Sequence, residues 1–140
     1  MKHIILAIAA AIICTSCSVM CCTKSSLTGS AWTCQYGMFV ADAGTETVDV
    51  TLTFPSAKKF ELLFDHNMPP YPAMYMNADG SVDTMPGYSF QYTMKGTYTY
   101  KKGILVLTPE EGEPIKAEMV AGKLHSSDIP MADHCIFEKK

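Results

Sequence analysis

The sequence predicts an all-β fold, an antiparallel up-and-down barrel of about eight strands, after an N-terminal export signal. The first observation is the stretch from Tyr88 to Lys101. Tyr88, Phe90, Tyr92, Met94, Gly96, Tyr98 and Tyr100 share one parity, and Ser89, Gln91, Thr93, Lys95, Thr97, Thr99 and Lys101 the other. Successive side chains of a strand point to opposite faces, so this is one long strand with an apolar face and a wet one. The second observation is that shorter runs on either side alternate in the same way, separated by turn residues, with no helical period after the signal. The third is economy. Closing such a set into a barrel removes two sheet edges that would otherwise invite aggregation.

Taken in order, Trp32, Cys34 and Tyr36 alternate with Thr33 and Gln35 as a first strand, and Ala41 to Thr45 reads as a turn. Val48, Val50, Leu52 and Phe54 give a second strand, ended by Pro55-Ser56, and Phe60, Leu62 and Phe64 continue the inward row on a third. The long strand follows, with Gly96 on its apolar face, where the missing side chain permits a sharp bend. Lys101-Lys102-Gly103 is a hairpin turn into Ile104 to Thr108. Ile115 to Met119, Leu124 to Ser126 and Cys135 to Glu138 complete the set. Residues 66–87 interrupt the pattern as a long loop rich in Pro and Met, with Asn77-Ala78-Asp79-Gly80 as a small hairpin turn inside it.

The cysteines bear on closure. Cys34 lies in the first strand and Cys135 in the last, and in a closed up-and-down barrel those strands adjoin. A Cys34–Cys135 disulfide would then fasten the seam, and the alternative is two buried free thiols.

The N-terminus predicts an address. Met1-Lys2-His3 is a short basic start and Ile4 to Ile13 an apolar run of signal-peptide length, too short to span a bilayer. Thr15-Ser16-Cys17-Ser18 resembles the lipobox of Gram-negative bacterial lipoproteins. That resemblance implies removal of residues 1–16, acylation of Cys17 and a lipidated tether over 17–30, ahead of a barrel domain over 31–140. It also implies a cell-envelope location. Ser18 stands where Asp would hold a lipoprotein at the inner membrane, so the expected site is the outer membrane, facing the periplasm. The other reading of the segment is an ordinary secretory signal cut near Ser16 without lipid.

Charge excludes one class of partner. The whole chain carries a formal −3, and removing Lys2 with the signal makes it one unit more acidic. All of its basic residues are Lys, which withholds the bidentate guanidinium favoured for phosphate and base recognition, so no nucleic-acid partner is expected.

Leu27-Thr28-Gly29-Ser30-Ala31-Trp32, Gly96-Thr97-Tyr98-Thr99-Tyr100 and Ile104-Leu105-Val106-Leu107-Thr108 resemble the small lipocalin-like lipoproteins of bacteria. The resemblance implies a barrel acting as a non-enzymatic binding module for a small apolar ligand or an envelope protein. Trp32, Phe60, Phe64, Tyr88, Phe90, Tyr92, Tyr98 and Tyr100 are the candidate lining of such a site. Alternatively this aromatic row fills the barrel, leaving a structural or interaction lipoprotein without a small-molecule ligand.

Other constellations are weaker. Asn77, Asp79 and Asp83 offer hard oxygens at calcium-loop spacing, but no closing Glu follows, and a solvated turn accounts for them. His66, Met68, Met74 and Met76 are a soft-metal set that packing also explains. His125, Ser126, Ser127 and Asp128 are contiguous, which on a strand puts neighbours on opposite faces and argues against a catalytic triad. The expectation is therefore no enzyme, no metal and no cofactor.

Overall fold

A computed structural model describes residues 27–140; the signal segment, Cys17, Cys21 and Cys22 lie outside the described residues. Among those described, the strands are β1 (Ala31–Val40), β2 (Gly44–Thr53), β3 (Lys59–Met68), β4 (Tyr71–Met76), β5 (Val82–Met85), β6 (Tyr88–Lys101), β7 (Ile104–Pro109), β8 (Ile115–Val120), β9 (Lys123–Ser126) and β10 (Cys135–Lys139). Eight of them close an antiparallel barrel in the order β1-β10-β9-β8-β7-β6-β3-β2, and β4 and β5 form a separate two-stranded ribbon. The up-and-down topology matches the expectation from alternation, and β6 has the bounds read from its period-two pattern.

Two boundaries differ. The segment 41–45 is not all turn: β1 runs to Val40, β2 begins at Gly44, and Val40 pairs with Gly44. The tight turn is possible because Asp42 adopts φ 65°, a left-handed conformation that Asp tolerates better than most residues. Nor is 66–87 an irregular loop. His66, Asn67 and Met68 complete β3, and the rest folds into the β4–β5 ribbon around the turn at Asn77–Gly80. Its turn is held by Asn77 N–H donating to Ser81 O at 2.7 Å and Gly80 N–H donating to Asn77 O at 2.9 Å. Gly87 fixes where the ribbon rejoins the barrel, since a Cβ there would stand 2.2 Å from the Met68 carbonyl oxygen.

The interior is filled by the inward parity of every stave. Val48, Val50, Leu52, Phe54, Phe60, Leu62, Phe64, Leu105, Leu107, Leu124 and Phe137 are buried, as expected of a barrel just wide enough for side chains to occupy. At one end Leu27 joins this core, Gly29 N–H donates to Phe54 O at 2.8 Å, and Trp32 Nε1 donates to Ser30 Oγ at 2.9 Å. The last residues of the expected tether are thus seated under the barrel. Tyr98 closes the same end with its ring edge-on to Phe54, centroids 4.6 Å apart.

The seam closes as the sequence predicts. β1 pairs with β10, with Trp32 opposite Lys139 and Thr33 opposite Glu138. Cys34 and Cys135 are both buried beside it as free thiols, their Sγ atoms 2.7 Å apart.

Gly96 is required by a close approach rather than by a left-handed conformation. A Cβ at this position would lie 2.1 Å from Thr108 O, 2.8 Å from Pro109 Cα and 2.9 Å from Phe60 Cε1. Two of these neighbours are backbone and cannot rotate away. Gly96→Ala is expected to destabilise the barrel by about 1–3 kcal/mol through overpacking. Urea denaturation checks this, and an unchanged midpoint would show that β7 can move out at no cost.

Candidate functional site

The staves are unequal in length, and that inequality makes the site. β6 has 14 residues, but β7 beside it has 6 and pairs only with Gly96 to Lys101. The N-terminal half of β6 therefore runs past the barrel wall with β3 on one side only. β3 accompanies it as far as Met68, opposite Tyr88, and β2 extends beside β3 from Thr47, opposite Asn67. Together with the upper half of β1, these strands form an overhang whose inner face continues the inward parity of the barrel.

At the foot of the overhang the β9–β10 connection folds inward. Ile129 is buried in the core and Tyr36 Oη donates to Pro130 O at 3.1 Å. Above that lid the aromatic row divides. Trp32, Phe60, Phe64 and Tyr98 are buried in the barrel and Tyr100 packs half-buried against it. Tyr88, Phe90 and Tyr92 are 42%, 48% and 39% exposed. The eight residues read from the sequence as one lining thus serve two purposes, five as packing and three as an open aromatic shelf.

The shelf is ordered by cross-strand pairing. Tyr92 lies opposite Phe64 and stacks on it at 4.6 Å with 11° between planes; Phe90 lies opposite His66 and stacks on it at 4.3 Å, also at 11°. Such pairs fix ring orientation beyond what burial alone would do. Burial pushes the Tyr92 phenol up, and burial followed by the Glu46 carboxylate does the same for Tyr88. Tyr36 is pushed up to about 12, chiefly by burial. The phenols of this end stay protonated at neutral pH, so the shelf is uncharged and able to donate hydrogen bonds.

Behind the shelf is a polar pair that the sequence reading did not assemble. Glu46 and His66 are both buried, with His66 Nδ1 and Glu46 Oε1 2.8 Å apart, and Tyr88 Oη reaches Glu46 Oε2 at 3.5 Å. His66 Nε2 is buried with no hydrogen-bond partner among the described residues. The signal was present: carrying the period of β2 back from Val48 puts Glu46 on the inward row, and the period of β3 carries His66 there. Starting the second strand at Val48 and treating 66–87 as loop cut both rows short.

The remaining candidates are placed plainly. Asp79 Oδ1 accepts from Ser81 N at 2.9 Å and Ser81 Oγ at 2.6 Å, while Asn77 Nδ2 donates to Asp83 Oδ1 at 3.1 Å, so the three oxygen residues are engaged in the ribbon's turn. His66 and Met68 are buried on β3, whereas Met74 and Met76 are exposed on β4. No group of three or more His, Cys, Asp or Glu among the described residues is arranged to hold a metal ion. Ser126 is buried rather than at the surface, its Oγ donating to Lys116 O at 2.6 Å and accepting from Asp128 N at 3.3 Å. His125 faces the ring of His134 at 5.6 Å.

The chain matches no protein-family model, no curated protein and no solved structure. What the fold and the overhang define is a small closed β-barrel whose surface is compatible with binding.

Proposed function

We propose that the chain is a lipid-anchored, lipocalin-like lipoprotein of the bacterial envelope, attached to the outer membrane through Cys17. In this reading it is a non-enzymatic binding module that engages a protein partner on the overhang rather than a ligand inside the barrel. The observation that carries this reading is the contrast within one aromatic row: its barrel half is packed, and its overhanging half, Tyr88, Phe90 and Tyr92, is exposed on a rigid strand. Exposed aromatic side chains on an ordered scaffold give large contact area with little conformational entropy to lose. The ribbon that leaves from the same end adds exposed Met74, Tyr75, Met76 and Val82. Exposed apolar side chains of this kind, outside any enclosed cavity, suit a protein better than a small molecule, which wants a concave enclosure.

Site-specific photo-crosslinking in the intact envelope tests this. A benzophenone side chain at Phe90 or Tyr75 is expected to give defined adducts with an envelope protein. One at Ile104, exposed at the opposite end of the barrel, is expected to give none. Equal labelling from Ile104, or none from the overhang, would overturn the reading. For the anchor, Cys17→Ser is expected to abolish incorporation of labelled fatty acid and to move the protein into the soluble fraction; retained labelling would place the lipid elsewhere.

A further inference from the structure

The overhang leaves open a strand edge as well as a face. Tyr98 N–H donates to Lys58 O on the β3 side of β6, and Lys95 O accepts from Glu110 N on the β7 side. Backbone groups alternate in direction along an antiparallel strand, so even-numbered residues of β6 point theirs at β3 and odd-numbered ones point away. Below Lys95 the odd-numbered residues are Thr93, Gln91 and Ser89. β7 pairs only from Gly96 onward, and no other described strand lies on that side, so the N–H and C=O groups of these three residues line a free edge. A surface groove of about 340 Å³ lies at its β7 end, bounded by Tyr92 to Lys95 and by Glu110 and Glu111.

Natural sheets blunt such edges with charge, Pro or bulges. From Tyr88 to Met94 this one has no charged residue, no Pro and no Gly, and its pairing with β3 is continuous, without a bulge. It is a template for strand addition.

We propose that this edge pairs antiparallel with the same edge of a second copy of the chain, about a two-fold axis at Gln91. Gln91 then lies opposite the partner's Gln91, and Ser89 opposite the partner's Thr93. Each of these pairs exchanges both of its backbone hydrogen bonds. Phe90 lies opposite the partner's Tyr92 on the aromatic face, a cross-strand aromatic pair of the kind that stabilises antiparallel sheets. The register is set by the length of the edge. Running Tyr88 to Met94 against itself uses the whole free stretch and stops short of β7 in both copies, so the barrels do not collide along the strand. An uncharged edge sets no like charge against itself, as a two-fold pairing of a charged edge would. The closed interface is isologous, which limits growth to a dimer. It also joins the two aromatic shelves into one surface, extending the binding face proposed above without depending on what that face binds.

The test uses the full-length chain in the bacterial envelope. With Gln91→Cys, mild oxidation is expected to give a reducible covalent dimer, because directly opposed residues of an antiparallel pair lie within disulfide reach. The wild-type chain and Lys101→Cys, at the far end of the same strand, are expected to give no such dimer. Adding Thr93→Pro to Gln91→Cys removes an N–H that the isolated barrel does not use, and is expected to reduce the dimer at least about tenfold. Protease resistance of the barrel in the same cells reports whether the Pro variant still folds. If it does not, the comparison of Gln91→Cys with Lys101→Cys still decides. Absence of the dimer with Gln91→Cys, an equal yield from Lys101→Cys, or an adduct of some other mass would overturn the second copy as occupant. The photo-crosslinking result at Phe90 would be untouched by that failure.

Discussion

Reduction of a Cys34–Cys135 disulfide is expected to lower the unfolding free energy by about 4–5 kcal/mol, the chain-entropy value for a closed loop of roughly 100 residues. The two cysteines stand in the first and last staves of the barrel, on strands that pair with each other, and their sulfurs are in contact at 2.7 Å. A bond here would link nearly the whole domain end to end, which is where removing freedom from the unfolded chain has its greatest effect. Intact mass of the protein, untreated and after reduction and alkylation, reports the bond as the loss of two hydrogens. Urea midpoints of the two forms report its contribution. As thiols the pair would resist labelling in the folded state, since both are buried in the barrel. Alkylation therefore has to be done in denaturant. Two alkylated thiols in the unreduced protein, or equal midpoints, would sink the disulfide and leave the seam to backbone pairing and packing alone.

Phe64→Ala is expected to destabilise the domain by about 3–5 kcal/mol, the range for removing a buried aromatic ring. Phe64 is fully buried, stands opposite Val50 on one side and Tyr92 on the other, and carries the stacked Tyr92 ring. The substitution therefore tests two links together. Chemical denaturation gives the loss of core packing. The partner contact at Phe90, read by photo-crosslinking in cells where the variant still folds, is expected to weaken because Tyr92 no longer has a fixed support. A loss below about 1 kcal/mol would mean that the interior collapses around the deletion, and that the packing at this layer is loose.

Much of this fold is legible because a strand writes its faces into its sequence. The alternation through β6, and through Val48 to Phe54, assigns inside and outside residue by residue, and Asn77 to Gly80 marks its turn by composition. Where reading failed, it failed at strand ends. Ala41 to Thr45 reads as turn and the second strand as starting only at Val48, because the small and polar residues between have weak strand signals, yet the ladder with β1 begins at Gly44. His66 to Met68 falls just before a Pro pair, yet pairing with β6 carries β3 to that limit. Those few residues hold Glu46 and His66, so the errors of boundary were also errors about the site.

The sequence by itself determined that the chain is all-β, which side of each stave is apolar, and that Cys34 and Cys135 belong to strands at the two ends of a closing sheet. These follow from a period of two and from chain order, both local properties. Only the tertiary structure decided which half of the aromatic row is covered. Tyr92 and Tyr98 share one strand and one parity, yet Tyr98 has β7 beside it and a filled barrel around it, while Tyr92 stands on the overhang where β7 has already ended. Burial depends on what the neighbouring strands supply at that height. Parity sets only the direction in which a side chain points.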